Sequence, residues 1–226
     1  MALRYRYTSD MITLTMVNES KKVSAADFAK MVEAAKAFVP LVTAFWEKPA
    51  ITVTTAPARV AGTWNVCILD NFPNIAMNAK ASGYHEVVNK TPIAYARVNT
   101  RYMLGSYFKG IIRKNGTVVL PPRCTQGVIT TVLHEIAEMI IDPFISERRT
   151  DALNRAWVLE VCDHAMSNWD LVVGGVNVIA PDFTLPAFYT VGANGPYSYR
   201  GTAKAPFTLS PGSYGFYDTP KGLHAL

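Results

Sequence analysis

Between Arg123 and Arg148 the chain has no Lys or Arg, yet it places His134, Glu135, Glu138 and Asp142 within one strongly apolar run. At roughly 100° per residue, Val128, Ile129, Val132, Leu133, Ile136 and Ile140 fall on one face of a helix over residues 128–142. Pro143 ends it, because proline cannot extend the hydrogen-bond ladder. His134, Glu138 and Asp142 stack at i, i+4 and i+8 on the other side, and Glu135 stands beside that row. Acids at this spacing repel one another by roughly a few tenths of a kcal/mol per pair. A bound cation turns the repulsion into coordination. The spacing is that of the zinc helix H-E-x-x-H, with a carboxylate in place of the second imidazole.

A zinc ion needs a further protein ligand, and the stretch from Trp157 to His164 offers Glu160 and Asp163, spaced by one helical turn. Cys162 and His164 are alternatives for that position. Read without the ion, the same residues make an amphipathic helix with a polar face and a surface pair of acids. An ion rich in carboxylate ligands is also compatible with Ca2+, the weaker alternative to Zn2+.

Around this core, Ser24 and Asp27 mark a capped helix start, with helical spacing from Phe28 to Trp46 and a kink expected at Pro40. Residues 51–55, 64–69 and 92–99 read as strands from their β-branched and alternating apolar residues. Residues 111–119 read as a hairpin around Asn115-Gly116. A second helix is expected within 152–166. Beyond Gly174-Gly175, six prolines recur among Tyr, Phe and Gly. The expectation is therefore a 1–175 domain and a 176–226 extension of short strands and loops, wrapped over the domain or reaching a neighbour.

The 226 residues are half hydrophobic and only 17% charged, enough to bury a core. The net charge of +5 is scattered rather than clustered, which argues against a specific nucleic-acid groove. Three cysteines without a C-x-x-C pattern suit a reducing compartment. No signal peptide and no membrane-spanning run is seen, so a cytoplasmic origin in the producing cell is expected.

His134-Glu135-Ile136-Ala137-Glu138, then Asp142-Pro143 and Glu160-Val161-Cys162-Asp163, resembles a zincin-like metallopeptidase family of tailed phages and bacteria with the motifs H-E-x-x-E-x-x-x-D-P and E-V-x-D. The plant Exordium-like proteins show a related pairing. Residues 207–215 resemble the glycine-tyrosine ending of some phage members. The resemblance implies an α+β zincin-like fold: a small twisted mixed sheet packed on the metal-binding helix, a cleft along the sheet edge, and an extended β/loop C-terminal segment. It implies one divalent ion, His134 and Glu138 as ligands, Glu160 as the foremost third ligand with Asp163 as its replacement, and Glu135 as general base. Asp142, or Asp163 when Glu160 ligates, would then support the ligands from outside.

Two functions follow as expectations. One is a zinc-dependent hydrolase of peptide substrates, with Tyr95, Tyr189 or His164 as candidate oxyanion donors. The other is a non-catalytic phage virion component, meeting other phage structural proteins or copies of itself, in which the ion stabilises the fold.

Overall fold

The computed structural model describes residues 11–74, 76–77, 81–98, 111–112, 118–119, 127–220 and 222–226. They form a mixed α+β architecture whose main element is a five-stranded sheet: β1 (Ile12–Asn18), β2 (Ile51–Thr55), β3 (Trp64–Leu69), β4 (Gly83–Val88) and β5 (Thr91–Arg97). The order is β2-β1-β3-β5-β4, parallel except for β4, which runs antiparallel to β5 at the edge. Neither β1 nor β4 was anticipated from sequence. The β4–β5 connection is Asn89-Lys90, both at positive φ, the backbone of a two-residue hairpin. Lysine there is a weak turn signal, which is why the hairpin is hard to read from the residues alone.

Helix α1 (Ala25–Phe45) crosses between the parallel strands β1 and β2. Ser24 caps it, its hydroxyl accepting from the Asp27 amide at 3.1 Å, and the helix runs through Pro40. Helix α2 (Val128–Ile141) is the expected metal helix, and every one of its residues is buried. Both helices share a core with Leu14, Met16, Val66, Ile68, Ala94 and Ala96. Ala94 and Ala96 lie on the helix side of β5, where small side chains let α2 come close. The opposite face carries a smaller cluster of Cys67, Leu69, Phe72, Ile93 and Tyr95. Lys48 Nζ donates to the Ile141 carbonyl at 2.9 Å, satisfying one orphan acceptor at the α2 C-terminus.

Strands β6 (Ile111–Ile112) and β7 (Val118–Val119) pair antiparallel, as expected for a hairpin; its Asn115-Gly116 turn lies outside the described residues. A second, four-stranded sheet follows, built from β8 (Arg148–Thr150), β9 (Ala156–Val158), β12 (Phe216–Thr219) and β13 (Gly222–Ala225) in the order β13-β12-β9-β8. The helix expected within 152–166 is corrected here: β9 occupies its first half, and helical backbone survives only as a short turn over 160–165. The cause is local. Asn154 takes a positive φ, and Asp151 gathers the amides of Leu153 and Arg155 and the indole N–H of Trp157 into a tight turn that no helix accommodates.

Strands β10 (Asn168–Val173) and β11 (Val176–Pro181) form a hairpin turning at Gly174-Gly175, so the boundary expected at 175 falls at a turn within one element. Thr130 on α2 donates to the Ile179 carbonyl at 2.8 Å. Beyond it, Phe183, Leu185, Phe188 and Tyr189 enter the same core as α1 and α2, and the Trp46 indole donates to the Thr184 carbonyl. Phe183 is fully buried and meets Phe38 edge-on. Phe183→Ala is therefore expected to cost about 3–5 kcal/mol of global stability in urea unfolding. A separate C-terminal appendage would instead leave the main transition unmoved.

Candidate metal centre

Helix α2 carries His134 and Glu138 one turn apart, and the turn at 160–165 brings acids up to them. Glu138 Oε1 lies 3.2 Å from His134 Nε2, and Asp163 Oδ1 lies 3.1 Å from the same nitrogen. One imidazole nitrogen carries at most one proton, so it cannot serve both carboxylates fully. Asp163 Oδ1 is buried and has no hydrogen-bond partner. Two donors each about 2.0–2.1 Å from a tetrahedral zinc ion stand about 3.3 Å apart, close to both separations. Each separation, taken singly, is that of two zinc donors, and a nitrogen of His134 and an oxygen of Glu138 lie together with an oxygen of Glu135 in a donor set whose atoms are all within 4.8 Å of one another.

The backbone holds this arrangement. The Cys162 amide donates to Glu138 Oε1 at 3.2 Å, and its thiol lies 3.8 Å from the His134 carbonyl. Cys162 is thus a packing residue whose thiol burial pushes well above its ordinary range. His164 faces away: Nδ1 meets the Tyr189 hydroxyl at 2.6 Å, and its ring stacks on Phe188 beside Trp157. Burial drives it down to about 4, a neutral imidazole within an aromatic wall. Neither alternative third ligand meets His134 Nε2.

The two later acids part company. Asp163 reaches His134 directly, whereas Glu160, the third ligand expected first, hydrogen-bonds Glu138. Asp142 caps the end of α2, accepting the amides of Ser146 and Glu147 at 3.0 Å each. Its carbonyl lies 3.3 Å from Nε2 of His85. His85, which no sequence motif flagged, comes from β4 and sets Nδ1 3.9 Å from Glu135 Oε2. Only the antiparallel edge strand brings it there.

Glu135 opens on a cleft of about 180 Å³ lined by Ser82, Gly83, Thr131, His134, Asp163 and Tyr214. Burial lifts Glu135 to about 6, with His85 and His134 opposing. Glu138 is pushed up by burial too, but its pairing with His134 prevails and holds it down to about 2. Burial and the Glu138 charge raise both Glu160 and Asp163. His134 is opposed by burial and still held well above 6.5, first by Glu138.

Tyr214, absent from the expected site, hydrogen-bonds Asp163 and stands over the cleft. The Ser213-Tyr214-Gly215 ending was the available signal. Tyr95 lies in the cluster on the far face of the sheet, and Tyr189 is taken up by His164 and Thr184. Neither they nor His164 line this cleft, which corrects them as oxyanion candidates.

Among the described residues no helix is long and apolar enough to cross a membrane. The chain matches no model of a known family, no curated protein and no solved structure.

Two outcomes test this geometry. A Cβ added at Gly83 would sit 2.5 Å from Glu135 Oε1 and 2.6 Å from Thr131 Cγ2. Gly83→Ala must push β4 off α2, and a loss of about 1–3 kcal/mol in chemical denaturation is expected.

The second is pH dependence without metal. Glu135, Glu160, Asp163 and His134 all hold protons more tightly folded than unfolded. Their contribution is fullest below the ordinary values and is lost as pH rises through the raised ones. Glu138 acts oppositely between 4.5 and about 2, and His164 between 6.5 and about 4. Chelator-treated protein should therefore melt at falling temperatures from about pH 6.5 to 8, where only the raised groups still titrate, and added Zn2+ should raise the melting temperature most at the alkaline end. A flat profile in both conditions would refute the centre.

Proposed function

We propose that this chain is a zincin-like protein that binds a divalent metal ion at His134, Glu138 and Asp163, with its ancestry and chemistry those of a metallopeptidase. The carrying observation is that two buried carboxylates, Glu138 and Asp163, converge at 3.2 and 3.1 Å on a single imidazole nitrogen. That nitrogen favours Zn2+ over Ca2+, which takes oxygen ligands. An ion held there supplies a Lewis acid for the carbonyl of an extended peptide.

The protein's own groups supply the rest. Glu135, lifted to about 6 and open to the cleft, takes a proton from the attacking water and delivers it to the leaving amine. Tyr214 stands across the same cleft and donates to Asp163, fixing that carboxylate's orientation. Gly83 keeps the edge strand low beside Glu135, so a substrate has room above it.

A second reading keeps the ion and drops the catalysis. Glu138 stands where a second imidazole is usual, and the added negative charge makes the ion a weaker Lewis acid. The centre also joins α2 to the 160–165 turn, which suits a structural fastening in a virion component assembled with phage proteins or with copies of itself.

Variants separate these readings. His134→Ala and Glu138→Ala should lose the ion and lower the melting temperature. Glu135→Gln should keep the ion and cut hydrolysis of a mixed peptide library by about a hundredfold or more. Wild-type protein that retains the ion and cleaves nothing is the structural protein. Wild-type protein prepared without chelator that holds no stoichiometric metal is neither.

A further inference from the structure

Glu138 is shared by two groups of donors. One nitrogen of His134 and one oxygen each of Glu135 and Glu138 lie within 4.8 Å of one another, and so do a nitrogen of His85 and oxygens of Glu138 and Glu160. Of the second group, His85 and Glu160 are not used by the His134 centre. Its members come from three separate segments, β4, α2 and the 160–165 turn, so no local sequence spacing produces it.

His85 supplies the independent observation. Its side chain is only 5% exposed, and Nε2 lies 3.3 Å from the Asp142 carbonyl. A carbonyl only accepts, so Nε2 carries a proton and Nδ1 is the nitrogen that faces the acids. That orientation is the one a metal-ligating histidine takes when a backbone carbonyl holds its other nitrogen. Nδ1 faces Glu135 Oε2 at 3.9 Å, and the proton that Glu135 and Glu138 favour on this ring is one that a cation would displace.

Formal charge agrees. Glu135, Glu138, Glu160 and Asp163 together carry four negative charges when ionised, while His85 and His134 are neutral when they ligate. One divalent ion leaves two charges uncompensated in a buried space, and two ions leave none.

We propose that the protein holds a second divalent cation on His85 and Glu160, with the Glu138 carboxylate bridging it to the ion at His134. The inference rests on the His134 reading and extends it to a paired centre, whose ions would stand about 3.5–4 Å apart. Glu138 then serves as a bridge, and its carboxylate in place of a second imidazole follows from that role, because imidazole cannot bridge two ions so closely.

Native mass spectrometry of the chelator-stripped full chain, titrated with Zn2+, is the test. Two ions per chain at saturation are expected. His85→Ala and the isosteric Glu160→Gln should each bind one, and His134→Ala should lose the other. Exchange-coupled Mn2+ signals in the wild type, read by electron paramagnetic resonance, check the bridge without any variant. Saturation at one ion, or two ions retained in both His85→Ala and Glu160→Gln, overturns the second site and leaves the His134 centre intact. No ion at all overturns both.

Discussion

Four carboxylates and two imidazoles meet in the interior of this molecule, and removing their charge from water is costly unless they are paired. The fold is arranged around that requirement. Helix α2 is buried along its whole length, which a helix with so polar a row reaches only if its neighbours complement that row. Strand β4 supplies His85 on one side, the 160–165 turn supplies Glu160, Asp163 and the Cys162 amide on the other, and the segment near Tyr214 closes the top. Protonation of Glu160 and Asp163 relieves the charge in the metal-free chain, and the cation proposed above would relieve it too.

The sheet makes this meeting possible by a small set of compact residues. Ala94 and Ala96 let α2 lie close on β5, and Gly83 lets the antiparallel edge strand pass within contact of Glu135. At the other end, Gly215 lies against His164, where a Cβ would sit 2.8 Å from Nε2. That contact packs the C-terminal segment onto the aromatic wall of Trp157, Phe188 and Tyr189. His164 of the 160–165 turn is packed into that wall.

In the C-terminal part of the chain, prolines and glycines remove helical periodicity, which reads as short strands and loops over the domain or toward a neighbour. Yet Phe183, Phe188 and Tyr189 complete the central core, and Asp182 ties the segment by accepting from the Phe183 and Arg200 amides. Irregular backbone is compatible with a dense core when side chains such as Asp182 satisfy its amides.

Local periodicity was enough to place α1, α2 and strands β2, β3 and β5, because each is specified by apolar spacing within its own residues. It also picked out His134, Glu135, Glu138, Glu160 and Asp163, since helical spacing puts the first three on adjacent faces and a short turn keeps the other two together. The tertiary structure alone decided the rest. His85 and Tyr214 reach the centre across about fifty and eighty residues of chain, distances over which no periodic pattern carries information. Which carboxylate meets His134 and which meets Glu138 depends on how the 160–165 turn docks on α2, where the Cys162 amide joins it to Glu138, and not on the residues' spacing.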